Sequence, residues 1–141
     1  MRAVATYTVK RWEETTYLQI SPRTKLTRAT VEFAFSGDME GMGFVEYLMF
    51  YRHFDAKDQH KSRASYVGLM RFEGVVAGRS GSFIMKDTGA FEGGAAVSVL
   101  QIDAESGTGR LEGITGSGLY RADQKGFHFE MDFNFADTGT A

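Results

Sequence analysis

The stretch from Tyr66 to Phe91 constrains the fold of this chain more than any other part of the sequence. Side chains alternate between the two faces of a β-strand, and here both parities carry apolar residues. A half-solvated strand would instead alternate apolar and polar residues. Glycines interrupt the pattern at short intervals, as in strands that bend sharply. The stretch therefore predicts two curved antiparallel strands, Arg63–Val76 and Arg79–Phe91, that turn near Ala77–Gly78.

The rest of the chain has the composition of a β-protein. Its 141 residues include 17 Gly and 12 Phe but a single Pro, and they contain no Cys. Many glycines together with many aromatic residues suit strands joined by tight turns. The absence of cysteine excludes a disulfide framework, a thiolate nucleophile and a Cys-based metal site. The length predicts one domain over residues 1–141.

Charge and hydropathy indicate the compartment and exclude some partners. The net charge is −2, and Lys and Arg are dispersed, so we expect no nucleic acid partner. No stretch approaches the roughly 18 consecutive apolar residues of a membrane helix, so we expect no membrane contact. Charged residues follow the N-terminal Met1–Tyr7 within three positions, from Lys10 onward, which is unlike a signal peptide. Together these features predict a cytoplasmic protein.

Alternating segments recur along the chain at the spacing of hairpins. The predicted strands are Ala3–Lys10, Leu26–Ser36, Phe44–Tyr51, Ala95–Ile102, Arg110–Gly118 and Phe127–Phe135, besides the two above. The predicted turns and loops are Gly37–Gly43, His53–Ser62, Glu105–Gly109 and Asp123–Gly126. A helix is the alternative for Phe44–Tyr51, because its apolar residues also fit a helical stripe.

These segments favour an all-β fold, an eight-stranded antiparallel β-barrel. Closure removes the sheet edges, and about eight strands leave an interior that is packed or that holds one ligand. A two-sheet β-sandwich needs the same alternation and is the alternative.

The last strand, Phe127–Phe135, has two interpretations. Its aromatic face can point inward and form a packed core, which leaves His128, Glu130 and Asp132 in solvent. Alternatively, its polar face points inward, which makes His128 with Glu130 or Asp132 an acid–base candidate and places His128 and Glu130 where they could bind a ligand.

A second group of charged residues lies in or near the central hairpin. Arg71 and Glu73 share a face, and Arg79 and Glu46 are placed to lie near them. Such a cluster inside a barrel would orient the polar end of a ligand. On the outside it would be a surface ion pair that contributes little to stability.

The sequence predicts no metal site and no cofactor. His53–His60 contains the residue types that bind metals, but its spacing matches no known site. Asp38 and Glu40 lie between glycines without the spacing of a calcium loop. The glycine clusters lack the Gly-Lys-Ser/Thr ending of a phosphate loop.

Six stretches, in their order and spacing, resemble a bacterial family of unknown function whose members adopt an allene oxide cyclase-like barrel. They are Lys25–Ala29, Gly37–Gly41, Glu46–Met49, Tyr66–Gly68, Gly78–Phe83 and Ser106–Gly109. The resemblance extends from about Ala3 to Phe135 and implies an eight-stranded barrel of calycin type in a bacterial cytoplasmic protein, with no assigned reaction. Plant allene oxide cyclases use a glutamate in a pocket that also contains a cysteine. This chain has no cysteine, so the resemblance does not carry that chemistry over.

The sequence thus leaves three functions open. The first is a barrel that binds a small, mostly apolar molecule with one polar end. The second is a metal-independent isomerase or cyclase in which a Glu or His shuttles a proton. The third is a filled barrel with a structural or interaction role. Because Phe44–Tyr51 and the Tyr66–Val76 strand are apolar on both faces, we also expect a homo-oligomer, most simply a homodimer.

Overall fold

A computed structural model describes residues 1–135 of the chain. Its regular elements are β1 (Arg2–Ser21), β2 (Thr24–Gly37), β3 (Met39–His53), a 3-10 turn (Gln59–Lys61), β4 (Arg63–Val76), β5 (Arg79–Glu92), β6 (Ala95–Ile102), β7 (Thr108–Gly109), β8 (Ile114–Asp123) and β9 (Gly126–Phe135). The last six residues of the predicted domain lie outside the described residues.

The strands form one antiparallel sheet that closes on itself. Eight of them follow the order β4-β3-β2-β1-β9-β8-β6-β5, and β5 pairs again with β4. Each strand of this ring therefore has a partner on both sides along part of its length. The two-residue β7 adds to β5 from a connecting loop.

The β4–β5 hairpin has the predicted bounds, except that β5 ends one residue later, at Glu92. Its register runs without a shift from Val76–Arg79 to Ala64–Phe91. Its turn consists of Ala77 and Gly78, whose φ angles are 52° and 76°. Two consecutive positive φ angles give a two-residue turn whose twist matches that of the flanking strands. This prediction is confirmed.

The interior of the ring is aromatic and apolar. On β9, Phe129, Met131 and Phe133 are buried, whereas His128 and Asp132 on the other parity are exposed. Phe35 contacts Phe129 edge-to-face, with ring centroids 5.5 Å apart. The structure therefore matches the first interpretation of the last strand, in which the aromatic face points inward.

Three predicted boundaries are wrong. The first strand is predicted to end at Lys10 but continues to Ser21. The sequence predicts a turn at Gly37–Gly43, but β3 already begins at Met39. Its glycines serve close packing, since a Cβ on Gly43 would lie 2.8 Å from the ring of Phe35. The predicted strand Arg110–Gly118 begins late, because residues 110–113 form a turn that buries Leu111 before β8 starts at Ile114.

The first hairpin extends beyond the ring. Within residues 1–135, β1 pairs with β9 only through residues 2–5, whereas it pairs with β2 along most of its length. A register shift between Val9 and Arg11 then changes the parity of the strand. As a result, Trp12 and Glu14 lie opposite Val31 and Ala29, on the inner face. No helix in the described part of the chain is long and apolar enough to cross a membrane.

Candidate functional site

The interior of the ring contains a cavity at one end. The other end is filled by buried side chains such as Phe72, Phe83 and Met85. The cavity has a volume of about 370 Å³ and lies where β3 ends and β4 begins. Its lining is Trp12, Tyr47, Tyr51, Phe54, Tyr66, Phe91 and Tyr120, with Met49, Ala64 and Ala96, and the polar residues Glu14, Gln59, His60 and Ser62.

Aromatic rings form most of the cavity wall. The rings of Trp12 and Tyr47 stack with centroids 6.5 Å apart. Tyr47 in turn contacts Tyr66 edge-to-face at 5.1 Å. Tyr51 contacts Phe54 in the same manner at 5.4 Å. Because each ring packs against another, the wall is built by the fold and does not need a ligand to form.

Glu14 is the one carboxylate that lines this cavity among the described residues. Its Oε1 accepts a hydrogen bond from Trp12 Nε1 at 2.9 Å. Its Oε2 accepts hydrogen bonds from Thr27 Oγ1 at 2.7 Å and from the Tyr51 hydroxyl at 2.8 Å. These three donors fix the carboxylate on the wall, while its side chain remains accessible to solvent.

A buried polar cluster lies at the floor of the cavity. Asp87 has an exposed fraction of 0%. The Tyr47 hydroxyl donates to Asp87 Oδ2 at 2.7 Å. The Tyr66 hydroxyl and Ser98 Oγ are 2.6 Å apart. The second carboxyl oxygen of Asp87, Oδ1, has no hydrogen-bond partner within residues 1–135.

Burial controls the protonation of this cluster. It raises the pKa of Asp87, and the hydroxyls of Tyr47 and Ser98 oppose that rise. Burial and the nearby Asp87 carboxyl raise the pKa of Tyr47 well above its usual value. Burial also raises the pKa of Tyr120 to about 12. The tyrosines are therefore neutral hydrogen-bond donors at neutral pH, and the neutral acid form of Asp87 is favoured relative to that of an exposed aspartate.

Two glycines make room for the cluster. Gly68 pairs with Asp87 across the β4–β5 hairpin, and a Cβ at Gly68 would lie 2.8 Å from the ring of Tyr47. A Cβ at Gly89 would lie 2.7 Å from the Tyr66 hydroxyl. Only a residue without a side chain lets these rings lie flat against the strands at these positions.

The segment between β3 and β4 forms one side of the cavity mouth. The backbone N–H of Asp55 donates to Ser62 Oγ at 2.9 Å. Asp58 caps the 3-10 turn by accepting from the N–H of His60. Phe54 and His60 therefore reach the cavity from a hydrogen-bonded loop. Among residues 1–135, no group of three or more His, Cys, Asp or Glu side chains is arranged to hold a metal ion.

The charged candidates of the central hairpin lie on the outer face of the ring. Arg71 Nη1 and Glu73 Oε2 form a 2.6 Å ion pair there, and Arg71 also donates to Ser82 Oγ. Glu46 is exposed and accepts from Thr30 and Arg28. The geometry matches the surface ion pair rather than a charged cluster inside the ring.

The remaining candidates are also far from the cavity lining. The Arg79 guanidinium lies 3.9 Å from the ring centroid of Phe135. His128 Nε2 and Glu130 Oε2 are 3.3 Å apart on the outer face. The structure therefore brings Arg71 together with Glu73, and His128 together with Glu130, but it joins neither pair to the interior.

The residues that do line or support the cavity were not singled out in the sequence. Asp87 can be recognised from the sequence pattern, because it shares the parity of Phe83 and Met85 and is thus a charged residue on an apolar face. Glu14 had no such signal. Its inward position depends on the register shift between Val9 and Arg11, which alternation alone does not reveal.

Fold and site together define an antiparallel β-protein with a closed ring of eight strands and an aromatic cavity at one end. A family model described as "Protein of unknown function (DUF3224)" matches residues 3–135. The chain belongs to this DUF3224 family, so the predicted membership of a family of unknown function is confirmed. The comparison with curated proteins gave no match.

A solved structure supports the fold. It is the crystal structure of a protein of unknown function from the DUF3224 family of Shewanella oneidensis MR-1, which is 22% identical to this chain. The similarity covers 96% of this chain and 97% of that one, with a TM-score of 0.76. At this identity the likeness shows the fold alone.

Proposed function

We propose that the ring is a small-molecule binding protein whose open end takes up a mostly apolar ligand with one polar end. The cavity of about 370 Å³ carries this proposal. It falls in the size range of small-molecule sites, and its walls are largely aromatic with a few convergent polar groups, as in such sites. The packed end of the ring closes the cavity from below, so the ligand would enter past residues 54–62.

The test uses the fluorescence of Trp12, the single tryptophan of the chain. Because its ring lines the cavity, an aromatic probe such as phenethyl alcohol should change its emission in a saturable manner. The variant Ala96→Phe adds a ring to the cavity wall and should weaken probe binding at least about tenfold. Ala90→Phe is the matched control, because Ala90 is exposed on the outer face. Equal binding by the two variants would contradict the proposal.

A second candidate function is that of an isomerase or cyclase that moves a proton. It is favoured by the buried Asp87, whose carboxyl lies one hydrogen bond behind Tyr47 in the cavity lining. When Asp87 is protonated, it can donate its own proton to the Tyr47 oxygen, which frees the Tyr47 proton to hydrogen-bond an enolate oxygen. Glu14 is a base on the same cavity wall. Exchange of the α-hydrogens of cyclohexanone in deuterium oxide tests it. The rate should exceed that of Asp87→Asn, and equal rates would rule this function out.

Three features of the sequence interpretation remain part of the proposal. The closed order of eight strands supports a barrel of the allene oxide cyclase-like type. The dispersed charges and the net charge of −2 favour neither nucleic acid nor a membrane surface as partner. A cytoplasmic location agrees with the chain's lack of cysteine, and a bacterial origin agrees with the family resemblance.

A further inference from the structure

We propose that the ligand is an organic cation, an amine or quaternary ammonium compound with an apolar body, and that Glu14 recognises its charge. This inference rests on the proposed function and specifies its ligand class. It follows from three observations on the cavity: the unpaired charge of Glu14, the aromatic composition of the wall and a lining that contains no lysine or arginine.

The charge of Glu14 is not compensated by the protein. Its carboxylate accepts hydrogen bonds from Trp12, Thr27 and Tyr51, all of which are neutral donors. None of the ion pairs found among residues 1–135 includes Glu14. Other carboxylates of the chain, such as Glu13 and Glu46, are paired with arginines on the outer face. A cationic ligand would supply the missing partner.

The aromatic wall provides a second attraction for the same class of ligand. Rings attract cations through their quadrupole, and cages of aromatic rings recognise ammonium groups in this way. The protein already uses this property at the cavity mouth. The ammonium group of Lys25 lies 3.5 Å from the ring centroid of Phe54 and 5.3 Å from that of Tyr51. Both rings line the cavity.

The floor of the cavity does not offer a competing anion site. Its hydrogen-bonding groups are the hydroxyls of Tyr47 and Tyr66, and Asp87 lies behind them. A ligand carboxylate placed deep in the cavity would therefore approach Asp87 without meeting a lysine or arginine in the lining. Lys25 and His60 are the basic groups near the mouth. An anionic ligand would pair with these groups at the rim, and this is the alternative that the experiment tests.

The experiment compares three probes of similar shape and different charge: phenethylamine, phenethyl alcohol and phenylacetate. Binding of each to the full chain is measured by titration calorimetry and by Trp12 fluorescence at neutral pH. We expect phenethylamine to bind at least about tenfold more tightly than the alcohol, because a charge-assisted hydrogen bond to Glu14 adds to the same aromatic contacts. Phenylacetate should bind most weakly.

The matched variants are Glu14→Gln and Glu13→Gln. They remove the same charge from adjacent residues, and Glu13 lies on the outer face with Arg11. Glu14→Gln should abolish the preference for the amine over the alcohol, whereas Glu13→Gln should retain it. Circular dichroism and the unfolding midpoint verify that both variants fold.

The outcomes separate this inference from the proposed function. If none of the three probes binds, the proposed function fails for this ligand size and the inference fails with it. If the alcohol or phenylacetate binds best, the cavity is a ligand site but the preference for cations is wrong. A preference for the amine that survives in Glu14→Gln would also overturn the inference, because the charge would then be recognised elsewhere.

Discussion

Tyr47 donates a 2.7 Å hydrogen bond to Asp87 inside the ring, and this bond joins the cavity wall to a fully buried carboxyl group. Tyr47 stacks against Trp12 on its cavity side. The Tyr47 hydroxyl thereby opposes the rise that burial causes in the pKa of Asp87. Burial of the Asp87 carboxyl in an apolar interior costs free energy unless the group is hydrogen-bonded.

Removing the Tyr47 hydroxyl should destabilise the fold. The Tyr47→Phe variant keeps the ring and removes the donor to Asp87 Oδ2, so that a buried carboxyl loses its hydrogen bond. We expect the free energy of unfolding to fall by about 1–3 kcal/mol. Urea unfolding at neutral pH measures it. The control is Tyr51→Phe, whose hydroxyl donates to the accessible Glu14, and its cost should stay below about 1 kcal/mol. Equal losses would show that Asp87 does not depend on Tyr47.

Replacing Asp87 should change how stability depends on pH. Burial raises its pKa above the ordinary 3.8, so the folded state binds this proton more tightly than the unfolded chain does. The stabilisation that this bound proton contributes is fully present below the ordinary pKa, and it is lost as pH rises through the raised pKa. Asn cannot ionise, so the Asp87→Asn variant does not lose stability in this way as pH rises. The stability of the variant relative to the natural protein should therefore increase with pH across that window. Urea unfolding over a pH series measures it, and a difference that is independent of pH would contradict the assigned shift.

The two faces of the last strand should respond differently to truncation. Phe129 is fully buried, and its removal should leave a cavity that costs about 3–5 kcal/mol. His128 is the adjacent residue on the outer face, and His128→Ala should change stability by less than about 0.5 kcal/mol. Thermal and urea unfolding compare the two variants. A larger cost for His128→Ala than for Phe129→Ala would reverse the assignment of the faces.

The outer face of the ring supports the expectation of a homodimer. Its exposed apolar side chains include Leu48, Val67 and Leu69 on the neighbouring strands β3 and β4, and Val99 and Leu119 on β6 and β8 beyond Thr88 of β5. Leu69 lies between Glu46 on one neighbouring strand and Lys86 on the other. If two such faces meet about a two-fold axis along the strand through Leu69, Glu46 of each copy faces the Lys86 of its partner. Opposite charges would then meet on both sides of Leu69, as suits an isologous contact.

Light scattering tests this interface directly. We expect a dimer at micromolar concentration and a monomer for Leu69→Asp. Ile20→Asp is the control, because Ile20 is similarly exposed (55% against 61%) but lies at the far end of the first hairpin. A monomeric natural protein, or a dimer that Leu69→Asp leaves intact, would count against this surface.

The sequence predicts those parts of the fold that local patterns determine. The β4–β5 hairpin follows from apolar alternation and the Ala77–Gly78 turn, and the inward face of β9 follows from its run of phenylalanines. The prediction for Gly37–Gly43 is wrong because clustered glycines usually indicate a turn. Here they allow close packing between strands.

The candidate site was harder to predict, since it depends on contacts between distant strands. Glu14 reaches the cavity through a register shift, and Tyr47 meets Asp87 across 40 positions of sequence. The charged residues that stand out in the sequence, Arg71 with Glu73 and His128 with Glu130, pair with each other on the outer face. Charge in a strand pattern indicates the solvent face unless its parity is that of the core.

The central claim is that a small molecule occupies the open end of the ring, and methyl NMR tests it most directly. Met49 lines the cavity, whereas Met85 is buried at the packed end. With the Met methyl groups labelled and phenethyl alcohol as the probe, we expect intermolecular nuclear Overhauser effects to the Met49 methyl and the Trp12 indole, and none to Met85. Effects confined to other methionines, or no effects at saturating probe, would contradict the account.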